Sequence, residues 1–276
     1  MLKGTIGSKG NSRAAGTLGV FSPLLVLLVH GSLYNEIGRI AAWRGVNYGP
    51  QVMIPLDAQV PFVPLFVLPY LFVWVFPILL IGYVALKLRF DPSPCLRISI
   101  GLVALMLSCY VLWILFPVRC DLRLDEAVLA RHGFLGNLVR INYEAASQWN
   151  ACPSFHVAGP WFLYRAVRDA VPKMPRLFLF IVVAIAASTV LIRIHFLADI
   201  ACGVLIGELI YHVVRKRVGS GNGRVHQFPT RPALALRPRR ASPPRQDRFH
   251  AGVLRDHLPA QGRLFRPHQI PPLLEP

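Results

Sequence analysis

Two histidines stand where polar sequence gives way to apolar sequence, and both have neighbours suited to phosphate chemistry. His156 lies in the stretch NACPSFHVAGPWFL, residues 150–163, three residues after a proline. His195 lies in STVLIRIHFLADIACG, with Asp199 four residues further on. Residues i and i+4 share one face of a helix, so we expect the Asp199 carboxylate to accept a hydrogen bond from the His195 imidazole. That bond would fix the ring tautomer and leave the other ring nitrogen as a nucleophile.

The spacing of the two histidines predicts that they meet. They are 39 residues apart, about the length of one helix crossing a membrane and a second returning. Both rings are therefore expected at the same membrane face. A single histidine at a helix end is more often an interfacial residue than a catalyst. Here a second histidine is present, and the Asp199 carboxylate lies in an apolar run. They favour a functional site over an interfacial role, because an intramembrane carboxylate is costly without a partner or a function.

Residues around the histidines predict a phosphate pocket. Pro153 suits the first position of a helix, and the free N–H groups of a helix N-terminus attract anions. The Ser154 hydroxyl adds a hydrogen-bond donor beside them. Four arginines nearby in the sequence could neutralise further phosphate oxygens: Arg193, Arg119, Arg123 and Arg140.

The composition indicates a membrane protein. The chain has 276 residues, 54% of them hydrophobic, against about 45–50% in soluble domains. A net charge of +17 would suit a nucleic-acid binder, but 13 Lys and Arg against three acids between Arg215 and Pro276 supply +10 of it. We therefore assign the positive charge to cytoplasmic flanks rather than to a nucleic-acid surface.

Hydropathy alone predicts five apolar spans, and with a sixth, less apolar one the sequence predicts an all-α integral membrane bundle of about six transmembrane helices. A span needs about 20 apolar residues. The segment that opens at Phe155 is the least apolar, because Arg165, Arg168 and Asp169 interrupt it. The first span, Thr17–Tyr34, could instead be a signal peptide, but no cleavage site of small residues follows its apolar part. The five remaining segments are Thr17–Tyr34, Val60–Leu86, Ile98–Phe116, Leu177–Ile192 and Phe196–Val214.

The distribution of charge favours six spans with both termini in the cytoplasm. Lys and Arg cluster on alternate flanks, whereas the long polar loop Val118–Pro153 carries four arginines and four acids. With this six-span topology, the chain consists of a cytoplasmic N-terminal segment (1–16), a membrane domain (17–218) and a basic Pro/Arg-rich tail (219–276). Disorder is the simpler expectation for the tail, and an anionic-lipid patch is the alternative. Cys120 and Cys152 bracket the polar loop and could form a disulfide in an oxidising compartment.

The histidine motifs resemble those of the type 2 phosphatidic acid phosphatase family, which is related to vanadium haloperoxidases. The family's P-S-G-H motif is similar to Pro153, Ser154 and His156, with Phe155 in the glycine position. Its third motif is serine-arginine, five residues, histidine, three residues and aspartate. Ser188, His195 and Asp199 match it, with Thr189 in the arginine position.

The departures resemble one branch of the family. Inositol phosphorylceramide synthases often have a bulky residue before the first histidine and a basic residue two before the second, as Phe155 and Arg193 are here. Their proline-containing entry to an early span is similar to QVPFVPLFVLPY. The family's first motif, a lysine, then six residues, then Arg-Pro, is absent. The resemblance covers roughly residues 56–214.

The resemblance implies a covalent mechanism without a metal or another cofactor. His195 would attack phosphorus, Asp199 would hold its ring, and His156 would protonate the leaving oxygen. Ser154 and the arginines would stabilise the charge of the transferred group. The expected protein is a lipid phosphate phosphatase with its site at the outer face of the plasma (inner) membrane.

Two other interpretations remain open. A head-group phosphotransferase would use the same residues and differ only in the acceptor that reaches the phosphohistidine. A transporter or a non-catalytic scaffold would use the polar residues for packing, which the missing first motif favours and the intact His156, His195 and Asp199 oppose. The long apolar helices argue against a soluble vanadate haloperoxidase.

Overall fold

The computed structural model of the chain describes the backbone of residues 7–220 and the side chains of residues 18–216. Within that range the regular structure is helical, and the single bridge between extended segments joins Val118 to Asn150. The predicted all-α class is therefore confirmed for this part of the chain. The first six residues and nearly all of the predicted tail, from residue 221 onward, lie outside the described residues.

Ten α-helices follow one another along the described chain, and a 3₁₀ turn at Pro64–Phe66 precedes the fourth. Four of them are short: α2 (Gly49–Val52), α3 (Pro55–Gln59), α6 (Glu126–Ala130) and α7 (Gly133–Ala145). The six longer ones are α1 (Gly7–Trp43), α4 (Val67–Lys87), α5 (Pro92–Leu115), α8 (Phe155–Ala170), α9 (Leu177–Leu191) and α10 (Leu197–Ser220).

Four helices within residues 7–220 are long and apolar enough to cross a membrane, which is compatible with an integral membrane protein. They are Leu18–Trp43, Pro64–Lys87, Pro92–Leu115 and Leu197–Lys216. The other two predicted spans are α8 and α9, with 16 and 15 residues. At 1.5 Å per residue these reach roughly 24 Å and 22 Å, short of a hydrocarbon core about 30 Å thick.

Several helix ends differ from those predicted by hydropathy. The first helix, α1, runs well beyond Thr17–Tyr34 on both sides and includes Pro23. Conversely, α4 begins at Val67 rather than near Val60. Prolines 61 and 64 lack a backbone N–H, and the chain forms the 3₁₀ turn there before regular helix begins.

The charged helix α8 lies at the centre of the bundle and packs against α4, α5, α9 and α10. Its Phe162 is buried and occupies the space where a side chain at Gly101 of α5 would lie, since a Cβ there would fall 2.1 Å from the ring. Neighbouring helices rather than lipid therefore cover much of α8. This explains why its low hydropathy is compatible with a place inside the bundle.

The polar loop Val118–Pro153 folds over the ends of α9 and α10 through buried and hydrogen-bonded side chains. The Tyr143 hydroxyl of α7 donates to the Ile192 carbonyl, 2.6 Å away, just after α9 ends. Burial raises the pKa of Tyr143 to about 12, so this hydroxyl keeps its proton at neutral pH. Cys120 and Cys152 lie in the same small cluster beside Phe196, and both are free thiols rather than a disulfide.

Candidate active site

His195 and Asp199 form a buried hydrogen-bonded pair. The Nδ1 atom of His195 lies 3.1 Å from Oδ2 of Asp199, and the two side chains are 2% and 0% exposed. The same Asp199 oxygen accepts the Phe196 backbone N–H at 2.9 Å. With the Nδ1 proton donated to the carboxylate, Nε2 of His195 carries the lone pair. The predicted contact between the Asp199 carboxylate and the His195 imidazole is therefore confirmed. In this tautomer the lone pair on Nε2 is the one that could attack a substrate.

His195 does not lie on a helix, although the i+4 spacing predicted one. It belongs to the turn between α9, which ends at Leu191, and α10, which begins at Leu197. The Thr189 carbonyl accepts the backbone N–H groups of both Ile194 and His195, at 3.0 and 3.2 Å. These two bonds fold the turn back on the end of α9. Thr189, in the position of the family's arginine, thus holds the histidine through its backbone.

Ser154 brings the start of α8 against this turn. Its Oγ lies 3.1 Å from Nε2 of His195, and its backbone N–H donates to the Asp199 carbonyl at 3.3 Å. The prediction that Pro153 occupies the first helical position is wrong, because α8 begins at Phe155 and Ser154 is its N-cap. The bond to Asp199 holds Ser154 in an extended conformation, so regular helix starts one residue later.

His156 faces the pair from the first turn of α8. Its ring centroid lies 5.7 Å from that of His195, which confirms that both rings reach one end of the bundle. The Tyr70 hydroxyl of α4 lies 3.1 Å from Nε2 of His156. The Nδ1 atom of His156 is buried and has no hydrogen-bond partner among the described residues. The ring is thus anchored through one nitrogen and has the other free.

Two glycines of α10 bring its backbone close to α8. A Cβ at Gly203 would lie 2.8 Å from the Ser154 carbonyl oxygen, and one at Gly207 would lie 2.9 Å from the Ala158 carbonyl oxygen. Glycines four residues apart allow this approach in membrane helices. The close crossing places Ser154 and His156 beside His195. It also gives a physical reason for a glycine at position 203, four residues after Asp199.

Two of the four predicted phosphate-binding arginines are held by backbone carbonyls and each keeps an unused donor. Arg123 donates to the carbonyls of Tyr143, Ala146 and Ser147 and lies over the Tyr143 ring, 5.1 Å from its centroid. Arg193 has a left-handed backbone, with φ of 57°, and its guanidinium donates to the Val60 carbonyl. The buried Nε of each arginine has no partner among the described residues.

The electrostatic setting of Arg123 suits an anion. Burial lowers the pKa of Arg123, and Tyr34 and Cys120 act in the opposite direction. An arginine side chain nevertheless stays charged at physiological pH. The desolvated guanidinium keeps one unused donor in a region of low dielectric, where a charged hydrogen bond is stronger than in water.

The other two predicted arginines are engaged elsewhere. Arg119 pairs with Asp121 at 2.8 Å and is 45% exposed. Arg140, on α7, lies 2.7 Å from Glu144 and 3.9 Å from Glu126. These local acids satisfy both guanidinium groups. In the described structure neither arginine makes a hydrogen bond to His156, His195 or Ser154.

Several residues that complete the site were not identified from the sequence. Tyr70 anchors His156, and Tyr34 of α1 stacks edge-on to it with 6.0 Å between the ring centroids. Asp57 is 1% exposed and accepts the backbone N–H of Leu197 at 2.7 Å and of Ile54 at 2.8 Å. The sequence signal for Asp57 is a lone acid in an otherwise uncharged stretch, whereas aromatic residues in apolar spans carry no such signal.

Phe155, which stands in the glycine position of the family motif, stacks on a histidine of α1. The rings of Phe155 and His30 lie 3.8 Å apart at 25°. Nδ1 of His30 is 3.0 Å from the Tyr110 hydroxyl, and Trp113 donates to the Pro153 carbonyl at 3.0 Å. The large residue therefore belongs to an aromatic cluster that supports the start of α8.

Within the described residues, no group of three or more His, Cys, Asp or Glu side chains is placed to hold a metal ion. The groups gathered around His195 are the Asp199 carboxylate, the Ser154 hydroxyl and the His156 imidazole.

The chain was compared with protein-family models, with curated proteins and with solved structures, and none of the three comparisons finds a match.

Proposed function

We propose that this protein is a membrane-embedded lipid phosphate phosphatase that acts through a phosphohistidine, and that it belongs to the type 2 phosphatidic acid phosphatase family. The observation that carries the proposal is the arrangement of His195, with Asp199 on one ring nitrogen and Ser154 beside the other. A nucleophile, an orienting carboxylate and a second imidazole in one buried place are the parts of covalent phosphoryl transfer.

In the first step, the Nε2 lone pair of His195 attacks phosphorus. A P–N bond forms while the bond between phosphorus and the lipid oxygen breaks. The imidazolium form of His156, which the negative charge of the bound phosphate favours, gives its proton to that departing oxygen, which leaves as an alcohol. The Ser154 hydroxyl must rotate away from Nε2 as phosphorus approaches, and it can then donate to a phosphoryl oxygen.

In the second step, water attacks the phosphohistidine. His156, now neutral, accepts a proton from the water, the P–N bond breaks and its electron pair returns to Nε2 of His195. Inorganic phosphate leaves, and both histidines regain their starting protonation states. The net reaction is the hydrolysis of one phosphate ester.

Arginine and hydroxyl donors supply the charge stabilisation. Arg123 and Arg193 each have an unused Nε donor, and donors fixed in advance in a buried site stabilise developing charge without reorganising. They would replace the arginines of the missing first motif. Arg119 and Arg140 would need to leave their acidic partners to take part.

A lipid substrate follows from the membrane setting of the site. We place the histidines at the outer face of the plasma (inner) membrane, with six spans and both termini in the cytoplasm. The charge distribution along the chain supports this orientation. The sixth span would be α10, and α8 and α9 would cross the membrane as shorter helices.

The decisive experiment measures phosphate release from a panel of lipid phosphates by the purified protein in detergent. We expect release from the wild type and a phosphoprotein that is labile in acid and stable in base. His195→Ala should abolish both, whereas Arg119→Ala, a change in an exposed arginine, should leave the phosphoprotein detectable. A phosphoprotein that persists in His195→Ala would refute the nucleophile.

A head-group phosphotransferase is the second candidate, and one observation favours it. An apolar cavity of about 620 Å³ ends at His156, so a lipid alcohol could reach the phosphohistidine in place of water. Adding a long-chain alcohol to the assay would then give a new lipid phosphate at the expense of free phosphate. Failure of every lipid phosphate to react would support the scaffold or transporter interpretation instead.

A further inference from the structure

A deep groove separates α1 from α4 and ends at the candidate active site. It has a volume of about 620 Å³. Tyr34, Tyr70 and His156 line one end, and Phe21, Leu25 and Ile78 line the other. The groove is thus polar where it meets the histidines and apolar along the rest of its length.

The groove is long enough to hold the hydrocarbon of one leaflet of a bilayer. Its wall on α1 runs from Phe21 to Asn35. Those 14 intervals span roughly 21 Å of helix, and half of a hydrocarbon core about 30 Å thick is roughly 15 Å. A hydrocarbon chain lying in the groove would keep the depth and direction that it has in the membrane.

The charge at the two ends also matches an anionic lipid. Ala145 and Ala146 line the polar end, and Arg123 donates to the Ala146 carbonyl at 3.0 Å. The Arg123 guanidinium therefore lies behind the polar end, bonded to a residue that lines the groove. Phe21, Leu25 and Ile78 at the opposite end are all apolar, so that end suits a hydrocarbon tail and not a second charged group.

The groove opens sideways toward the surroundings of the bundle. Several of its lining residues are also exposed on the outer surface, including Leu25 at 62%, Leu28 at 68% and Trp74 at 60%. Trp74 of α4 lies across from Gly31 of α1, where a Cβ would come within 3.8 Å of the indole. A side chain larger than hydrogen at position 31 would therefore project into the middle of the opening.

We propose that this groove binds the hydrocarbon chain of the lipid phosphate, which enters laterally between α1 and α4 while its phosphate reaches His195. The assignment rests on the proposed function and adds where the substrate lies and how it arrives. Lipid is as apolar as the groove, so the groove orients the chain and adds little hydrophobic driving force. Its effect is therefore on which phosphate esters are positioned for reaction.

Gly31→Leu tests the assignment, with Gly82→Leu of α4 as the matched control. A Cβ at Gly82 meets nothing within 4 Å, so the control adds the same side chain outside the groove. The measured quantity is the ratio of kcat/KM for a long-chain lipid phosphate to kcat/KM for a water-soluble short-chain phosphate monoester. We expect Gly31→Leu to lower this ratio by about tenfold or more, the usual scale of steric discrimination in an apolar pocket. Gly82→Leu should keep the wild-type ratio, and an equal ratio in both variants would overturn the assignment.

Photocrosslinking gives a second measurement that does not depend on turnover or on the folding of a variant. The probe is a long-chain lipid phosphonate with a diazirine in its chain, added to the wild-type protein in lipid nanodiscs. We expect adducts on α1 between Phe21 and Asn35 and on α4 between Tyr70 and Ile78. Adducts confined to residues that do not line the groove, or to a second copy of the chain, would overturn the assignment.

The two measurements separate this inference from the proposed function. Adducts in the groove without phosphate release from any lipid would refute the phosphatase and leave the groove as a lipid site. Phosphate release combined with adducts elsewhere and an unchanged ratio in Gly31→Leu would refute the groove and leave the phosphatase.

Discussion

Arg165 of α8 and Glu208 of α10 form a partly buried ion pair between the two helices, with 2.8 Å between Nη1 and Oε1. Each lies nine residues beyond a residue of the candidate site, His156 or Asp199, so equal depth from one end predicts that they meet. The structure confirms this. The competing partner, Asp169, instead pairs with Arg215 at 3.2 Å.

A double-mutant cycle should detect the Arg165–Glu208 pair as an interaction energy in unfolding. Trp161 also donates to Glu208 at 2.9 Å, and the Arg165 guanidinium lies 4.6 Å from the Tyr211 ring centroid, so both charges are held in place. Residues in one such network couple by about 0.5–3 kcal/mol. We expect coupling in that range between Arg165→Ala and Glu208→Ala, and weaker coupling between Arg165→Ala and Asp169→Ala. The reverse order would contradict the pair.

The pairing could be predicted because helical rise is regular, and the same regularity explains which parts of the site the sequence indicates. His156, His195 and Asp199 were identified from spacing along adjacent helices. Tyr70 and His30 were not, because they come from α4 and α1, and the side-by-side packing of distant helices leaves no periodic signal. The predicted phosphate-binding role of Arg140 lacks support for a different reason. Arg140 is near His156 in the sequence, but Glu144, on the same helix, binds its guanidinium in the folded chain.

His156 should matter most for substrates with poor leaving groups. As the proton donor it would contribute about 10²–10⁴-fold to the cleavage of an alkyl phosphate and much less to that of a nitrophenyl phosphate. We expect His156→Ala to show this difference in single-turnover rates of phosphoprotein formation. Tyr70→Phe is the matched variant, because it removes only the hydroxyl 3.1 Å from Nε2 and keeps the imidazole. Equal losses on both substrates in His156→Ala would exclude the acid role.

Asp57 is expected to act as a positioning residue for the His195 turn. Its buried carboxylate accepts N–H groups from Ile54 and from Leu197, which lies 140 residues further along the chain and two after His195. Asp57→Asn turns one acceptor into a donor and leaves a buried N–H unpaired, which costs about 1–3 kcal/mol.

The test of Asp57 compares the substitution with Asp91→Asn. Asp91 also accepts a backbone N–H at a helix N-terminus, that of Ser93 in α5, but it is exposed. We expect Asp57→Asn to lower kcat more than it raises KM, because His195 moves and the substrate groove does not. Asp91→Asn should change neither. Equal changes in kcat for the two variants would remove Asp57 from this role.

Gly203 should tolerate no side chain without loss of activity. A Cβ there would lie 2.8 Å from the Ser154 carbonyl oxygen and 3.0 Å from Cβ of Val157, so alanine must push α8 away from α10. Overpacking of this kind costs about 1–3 kcal/mol. The measurement is kcat together with the thermal midpoint in detergent. Gly82→Ala, where a Cβ meets nothing within 4 Å, should leave both unchanged, and a similar result for Gly203→Ala would contradict the close crossing.

The orientation in the membrane can be tested by cysteine labelling, because the native cysteines of the polar loop should react slowly. Burial raises the pKa of Cys120 to about 12, and burial also raises the pKa of Cys152 above its usual range. Maleimides attack the thiolate, and at pH 7, below both folded pKa values, these thiols stay protonated. The background in the unaltered chain should therefore be low.

Arg131→Cys and Lys173→Cys place new thiols at the two ends of the bundle. Both positions are exposed, Arg131 in the polar loop and Lys173 between α8 and α9. With intact cells and a membrane-impermeant maleimide, we expect Arg131→Cys to be labelled and Lys173→Cys to react only after permeabilisation. The histidines lie at the same end as the polar loop, since the Tyr143 hydroxyl binds the Ile192 carbonyl three residues before His195. The opposite labelling pattern would place the candidate active site at the cytoplasmic face, where its substrate would be a lipid phosphate of the inner leaflet.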